Sequence, residues 1–388
     1  MKKARVALWL AILLLTIRLF WVAGGNAQDY QVYWKAAHDW AAGQDPYVVT
    51  ADRAGFVFKY PPWILAPLLP WSGVYFNVGL LMWTALNLAG MAAIGRWLVR
   101  RAGLGLNTVL SATLLFAFIW IGHFSAGQMT VAMTAVGLWG FEWGALGAAL
   151  AIFALSAKVV TLVSAAGLFP ELARERGRRV WLAVGAWLAL LFGAAHAIVL
   201  WVSRRAGGTL SLGDFYRGFV RAASSGGAEL GAVAVRGQGN HGFTALVLRA
   251  LGVPATAAGA DLGVAVLLGM ALAGVWAWAS RRLDARERWA GWLALGVVVH
   301  PLAWHHSYVL AFPLCALALG RAFEARPPDA RLLRAAALGA IAMIALVVPQ
   351  VFGVDAVRPF ELAAGKSWGV VLAAWVLCRS RAAGERAA

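Results

Sequence analysis

Long apolar runs separated by short basic stretches set the pattern of this chain. The runs over about 7–23, 74–98, 106–122, 180–202, 257–280, 289–303, 307–322, 333–351 and 366–379 each predict one apolar helix of membrane-spanning character. Between Met129 and Phe169 the chain is apolar almost without interruption. At 1.5 Å per residue those roughly 41 residues make a helix of roughly 60 Å, about twice a bilayer core. With the N-terminus inside, this stretch begins outside and ends at the basic Arg174–Arg179 cluster inside, so the number of crossings is odd. Three short crossings fit, broken near Glu142-Trp143-Gly144 and near Ala157-Lys158. One long crossing with a re-entrant piece is the competitor. The total expected is about 12 spans. Two polar stretches interrupt the pattern, 24–72 and 203–256. The second contains two amphipathic segments, Leu210–Ala222 and Phe243–Leu251, predicted to lie on the membrane surface.

Composition agrees with the pattern. The chain is 62% hydrophobic and 13% charged, with mean hydropathy +0.72, which places it among all-α polytopic membrane proteins. Backbone groups in lipid must bond internally, and unpunctuated runs favour helices over a barrel. Lys2-Lys3-Ala4-Arg5 before the first run resembles a signal-peptide flank, but Gln28-Asp29-Tyr30 leads into a structured-looking segment. A retained first helix is expected. The net charge of +17 raises nucleic acid as a partner, yet the arginines gather between apolar runs: 96–101, 174–179, 281–288, 321–334 and 379–386. That is a repeated positive-inside pattern, not a nucleic-acid surface. Cys315 and Cys378 both sit in apolar runs and imply no disulfide framework. No repeat and no soluble domain is visible, so residues 1–388 read as a single integral-membrane domain. The Arg- and Ala-rich composition suggests a GC-rich bacterial source, and the cytoplasmic (inner) membrane is the expected location.

On this topology the residues with chemical capacity gather on the outer face. The first polar stretch carries Asp29, Asp39, Asp45 and Asp52 among many Tyr, Trp and Pro. Asp29 follows the first helix closely, where partial desolvation would raise a carboxylate toward a useful base. The plainer reading is an aspartate at the N-terminus of a loop helix starting at Tyr30. Gly43-Gln44-Asp45-Pro46-Tyr47 reads as a helix end and turn, and Phe58-Lys59-Tyr60-Pro61-Pro62-Trp63 as a rigid aromatic lead-in to the next helix. Lys158 stands alone in an apolar stretch, which marks either a functional cation or a snorkelling one. Arg204, Arg205, Arg217, Arg221 and Arg236 of the second polar stretch could neutralise a phosphate or lie at lipid headgroups. His300-Pro301-Leu302-Ala303-Trp304-His305-His306 sets three histidines at a helix turn. With Asp29 or His241 they could complete a metal site, but hydrogen-bonding roles fit better, and no metal is expected. Gly237-Gln238-Gly239-Asn240 is by itself a glycine-rich turn. No nucleotide loop, hydrolase elbow or thiol pair is present.

Taken together, these motifs resemble glycosyltransferase family 87. The resemblance rests on Asp29 with Tyr33, Gly43-x-Asp45-Pro46-Tyr47, Phe58-x-Tyr60-Pro61-Pro62, Gly127-Gln128 with Lys158 thirty residues on, Gly239-Asn240, and Pro301-x-x-Trp304-x-His306. These span roughly residues 29–313. The chain departs from the family at Thr130, where an Asn is common, and at His300, where Ser precedes the proline. Ungapped matching sets His306 on the first of the family's paired histidines and Ser307 on the second, with His305 as the spacer.

The resemblance implies a GT-C fold and an inverting transfer of a hexosyl, typically mannosyl, unit from a polyprenyl-phosphate donor. The acceptor would be a hydroxyl of a lipid-linked or cell-envelope glycan on the periplasmic face. Asp29 would be the general base and His306 a second catalytic group. Tyr33, Tyr60, Gln128, Lys158, Asn240, Trp304 and His305 would bind substrate, with membrane lipids as the remaining partners and no cofactor. The competing class is a transporter or flippase for lipid-linked sugars, for which mid-membrane polar groups and repeat symmetry would be expected.

Overall fold

The computed structural model describes all residues except 1, 26, 49–56, 159–160, 178, 225–238, 254–259, 326–327 and 388. Asp52, Arg236 and Gln238 therefore lie outside the described residues. The described chain is helical throughout and has no β-strand; one isolated bridge joins Asn240 to Trp304. In order, the helices are α1 (Lys2–Ala23), α2 (Gln28–Ala41), α3 (Phe76–Arg100), α4 (Leu106–Leu115), α5 (Ala117–Ala126), α6 (Thr130–Glu142) and α7 (Gly144–Leu155). Then follow α8 (Leu162–Ala166), α9 (Leu168–Arg176), α10 (Val180–Arg205), α11 (Leu212–Ser224), α12 (Phe243–Ala250), α13 (Ala260–Ala279) and α14 (Ala285–Val298). The chain ends with α15 (Phe312–Glu324), α16 (Ala330–Ile341), α17 (Val354–Leu362) and α18 (Gly365–Ala387). Short helical turns fill 62–71, a 3₁₀ segment (His305–Ala311) leads into α15, and a π-helical turn (Ala342–Leu346) ends α16.

Five helical segments are long and apolar enough to cross a membrane, or seven if the bent pairs α4/α5 and α17/α18 each count as one span. Several of the twelve expected segments are too short or too interrupted to count by that measure. Helices α6, α7 and α14 have 13, 12 and 14 residues, about 20 Å each against a hydrocarbon core of about 30 Å. The long helices on the outside bear apolar side chains in the open, such as Leu14, Leu182 and Leu267. The segment His305–Glu324 is largely buried and forms the centre. Exposed apolar faces of this extent on three helices suit contact with lipid.

The two ends of the bundle differ sharply. At one end lie buried carboxylates held by arginine: Glu142 by Arg286 at 2.7 Å, Glu171 by Arg288 at 2.5 Å, and Glu287 by Arg321 at 2.7 Å. Arg101, Arg174 and Arg381 join the same belt. It draws on all five arginine-rich clusters. A capping box between Asp284 and Glu287 starts α14 there.

Helix polarity then places the other end. Helix α6 runs from Thr130 to Glu142 in the belt, α7 runs back toward Lys158, and α8–α9 return to Glu171 in the belt. The chain thus passes between the two ends three times over 129–176, with breaks where the charged residues Glu142 and Lys158 stand. Close backbone approach at Gly140 and Gly147 lets α6 and α7 pack as an antiparallel pair. Likewise α14 starts in the belt and leads to His300 just past its end, and the 3₁₀ segment from His305 leads into α15, whose last turn carries Arg321. Asp29, Gln128, Lys158 and the 300–306 turn therefore share the end opposite the arginine belt.

Candidate active site

The first polar stretch folds as α2 followed by a turn and an aromatic frame. Its helix starts two residues earlier than expected, at Gln28, with Ala27 in a left-handed conformation (φ 34) as N-cap. The Ala27 N–H donates to Ser125 O at 2.8 Å, tying the start of α2 to the α5–α6 turn. Asp29 lies in the first turn but caps nothing. Instead its Oδ2 accepts from Gln128 Nε2 at 2.6 Å. Its carboxylate thus faces away from its own helix terminus and toward a second element. The plainer reading of Asp29, as a helix cap, fails on this contact.

Gln128 is buried, and its Oε1 accepts from Lys158 Nζ at 3.2 Å and from Tyr33 Oη at 3.3 Å. Lys158 also donates to Thr130 Oγ1 at 3.2 Å, so the threonine that departs from the family pattern takes part in the site. Tyr33 and Tyr60 hydroxyls meet at 2.7 Å. Tyr60 is held in turn: Tyr47 Oη donates to its carbonyl at 2.8 Å, and Asp45 Oδ1 accepts from Tyr47 N at 2.9 Å. The Asp45-Pro46-Tyr47 turn thus holds Tyr60.

Burial pushes the Asp29 carboxyl above the usual carboxylate range, while the Lys158 charge and the Gln128 hydrogen bond pull it back. Burial chiefly, and the charge of Asp29 among the further causes, raise Tyr33 and Tyr60. Both therefore remain neutral hydroxyls.

The histidine turn comes to the same end, and its members differ. His300 Nδ1 accepts from Leu302 N at 2.9 Å, and His305 Nε2 donates to Phe118 O at 2.9 Å. Both rings are engaged in holding the turn. Among the described residues no hydrogen bond reaches the His306 ring, which is half-buried and within electrostatic reach of Lys158 and His123. His306 is the histidine of the turn left open to a ligand.

Asn240 is fully buried and its amide is engaged. Its Oδ1 accepts from Gly242 N and Ala303 N, each at 3.1 Å, and its Nδ2 donates to Pro301 O. It pins the turn that carries Trp304. Tyr33 and Gln128 are also buried, at 1% and 5% exposure. Asp29, Tyr60, Lys158, Trp304, His305 and His306 are half-buried and reachable.

Sequence reasoning missed a second group packed beside the turn. Glu361 accepts from Gly239 N at 3.1 Å, Arg249 donates to Leu362 O at 2.8 Å, and Lys366 donates to Ile344 O at 2.6 Å. Arg249 and Lys366 bind carbonyls at helix ends, a structural use of cations. Lys366, a lone lysine opening an apolar run, carries the same sequence signal as Lys158. Buried His123 pairs with Asn87 Oδ1 at 3.1 Å, and an asparagine inside the apolar α3 was the available sign. Among the described residues no group of three or more His, Cys, Asp or Glu could hold a metal ion.

The chain matches no protein-family model, no curated protein and no solved structure.

Proposed function

We propose that this chain is a membrane glycosyltransferase. It would move a hexosyl unit, mannosyl in the first instance, from a polyprenyl-phosphate donor to a hydroxyl of a lipid-linked or envelope glycan. The observation that carries the reading is the partly desolvated Asp29 carboxylate, joined through Gln128 to the Lys158 ammonium. Glycosyl transfer passes through an oxocarbenium-like state with a departing anion, so it needs a base on one side of the sugar and cationic or donor groups on the other. Asp29 takes the proton of the acceptor hydroxyl. The acceptor oxygen forms a bond to the anomeric carbon as the bond from that carbon to the phosphate oxygen breaks. The electron pair leaves with the phosphate, and the anomeric configuration inverts. His306 and the remaining N–H of Lys158 are the groups placed to meet the departing phosphate. No cofactor or metal is required by this scheme.

The arrangement around the site fits a GT-C architecture with about 12 passes, several of them short. The arginine belt would face the cytoplasm and the Asp29 end the periplasm. Cytosolic nucleotide sugars do not reach that side, which favours a lipid-linked donor. The test is transfer by the purified protein from polyprenyl-phosphate mannose, comparing wild type with Asp29→Asn. A general base contributes on the order of 10²–10⁴ in rate, and a loss of that size is expected. Near-normal turnover in the variant would reject Asp29 as base. Movement of the donor across vesicles without transfer would favour the transporter class instead.

A further inference from the structure

We propose that His300 is a fixed hydrogen-bond donor to the phosphate that this site binds. Its Nδ1 lies 2.9 Å from Leu302 N. A backbone N–H can only donate, so Nδ1 carries a lone pair and the hydrogen of the neutral ring is on Nε2. Turning the ring over would set a C–H against the Leu302 N–H, so this one contact fixes orientation and tautomer together. Among the described residues no hydrogen bond reaches Nε2, and that nitrogen is not sealed from solvent. His305 is the opposite case. Its Nε2–H is spent on Phe118 O, so its other nitrogen, Nδ1, offers a lone pair. Of these two rings only His300 has a hydrogen left for an anion.

The packing sets this donor near Lys158. Helix α14 passes the start of α8 at Gly296, where an added Cβ would meet Ser164 Oγ and lie 3.5 Å from Thr161 Cα. Thr161 N in turn donates to Lys158 O at 2.7 Å. From that crossing the chain of α14 continues four residues to His300, and the other segment runs back three residues to Lys158, so both reach the same end of the bundle. His300 is within electrostatic reach of Lys158 and of His306. Three separate elements thus supply Lys158, His300 and His306. An ammonium and a fixed N–H on one side call for a ligand with several lone pairs on one centre, which a phosphate has and a single sugar hydroxyl lacks. Asp29 stands apart from them, across the Gln128 amide. Only the identity of the lipid, a polyprenyl phosphate, rests on the glycosyltransferase reading.

Farnesyl phosphate in detergent is the probe, its binding followed by tryptophan fluorescence. His300→Asn keeps an amide oxygen where Nδ1 accepts from Leu302 N and removes the group at Nε2. His300→Gln sets an amide N–H near the Nε2 position and removes the acceptor for Leu302. Affinity should fall about 10- to 100-fold in His300→Asn, the range for one lost hydrogen bond to a charged group, and less than about threefold in His300→Gln. Thermal unfolding should rank them the other way, with His300→Gln the less stable. Farnesol, which lacks the phosphate, should bind wild type and His300→Asn alike. Wild-type affinity in His300→Asn, an equal or greater loss in His300→Gln, or an equal loss for farnesol would overturn the assignment. Transfer from polyprenyl-phosphate mannose is measured on the same proteins. His300-dependent binding with no transfer by wild type retains the donor and rejects the glycosyltransferase. Transfer with binding indifferent to His300 does the reverse. No saturable binding of farnesyl phosphate rejects the donor assignment.

Discussion

Gly127→Ala probes how closely the first turn of α2 is held against the α5–α6 turn. Gly127 has φ +70, a left-handed conformation that costs an alanine about 1–2 kcal/mol. An added Cβ would stand 2.7 Å from Tyr30 Cβ and 3.2 Å from Tyr30 N. Carbon atoms rest at about 3.5–4.0 Å, so the two backbones must part by about 1 Å. Tyr30 has nowhere to turn: it is fully buried, with its ring 5.3 Å from Phe76 and 5.8 Å from Trp83. The element free to move is the start of α2, and Asp29 is the residue beside Tyr30. A displacement of that size stretches the 2.6 Å bond from Gln128 beyond hydrogen-bonding range.

The expected result is a fall in turnover of on the order of 10²-fold, the usual penalty for misplacing a reacting group by about 1 Å. Overpacking adds about 1–3 kcal/mol of destabilisation to the backbone term. The assay pairs turnover with thermal unfolding in detergent, with Gly185→Ala as control. Gly185 lies in α10 with open space around it, so alanine there should be neutral or stabilising by about 0.5–1 kcal/mol. Wild-type turnover with unchanged unfolding in Gly127→Ala would refute the argument that this contact positions Asp29.

Other outcomes follow from the same geometry. The base must be ionised, so activity falls as pH drops through the pKa of Asp29, which lies above the ordinary carboxylate value. Lys158→Met removes a charge that lowers that pKa, and the acid limb of the rate profile should move to higher pH; an unmoved limb would make Lys158 a phosphate contact only. His306→Ala should reduce turnover more than His305→Ala, while His305→Ala, which loses the bond to Phe118 O, should lower thermal stability more; the reverse order would reject the assignment. Arg217 and Arg174 are 75% and 63% exposed at opposite ends of the bundle. An impermeant thiol reagent on intact cells should label Arg217→Cys and spare Arg174→Cys, and labelling of the second alone would invert the topology.

Much of this arrangement was legible in the chain because charge punctuates apolar pattern. Glu142 and Lys158 marked the helix breaks of the 129–176 region because ionic groups seek the ends of the bundle, where partners exist. Helix lengths were less legible. The second half of the 3₁₀ lead-in, Tyr308 to Ala311, and the π-turn after Ile341 are mostly apolar, and periodicity does not separate them from α-helix. Depth was not legible at all for the polar residues. Tyr33 shares a helix face with Asp29 four residues earlier, but only the partners at Tyr60 and Gln128 decide that it is buried. Asn240 looked available in its glycine-rich turn, yet its amide is engaged by residues about sixty positions later. Such depth depends on contacts between distant segments, which no local pattern encodes.

What separates Asp29 from the buried glutamates of the arginine belt is the way its charge is met. Buried Glu171 and Glu287 each touch an arginine directly, at 2.5 and 2.7 Å. A contact pair of that kind engages the carboxylate oxygens, which suits stability and spoils a base. Asp29 makes no such pair among the described residues. Its cation, Lys158, acts across the Gln128 amide, so attraction offsets part of the rise that burial causes while one oxygen stays open. A direct lysine contact would hold the group more firmly and make it less basic. The intervening amide therefore has a chemical purpose, and Gln128→Met tests it. Without the amide, Asp29 loses its donor and Lys158 its acceptor, so the acid limb should rise as in Lys158→Met, and combining the two changes should add little to either alone. Additive shifts would mean that Lys158 and Gln128 act on Asp29 separately.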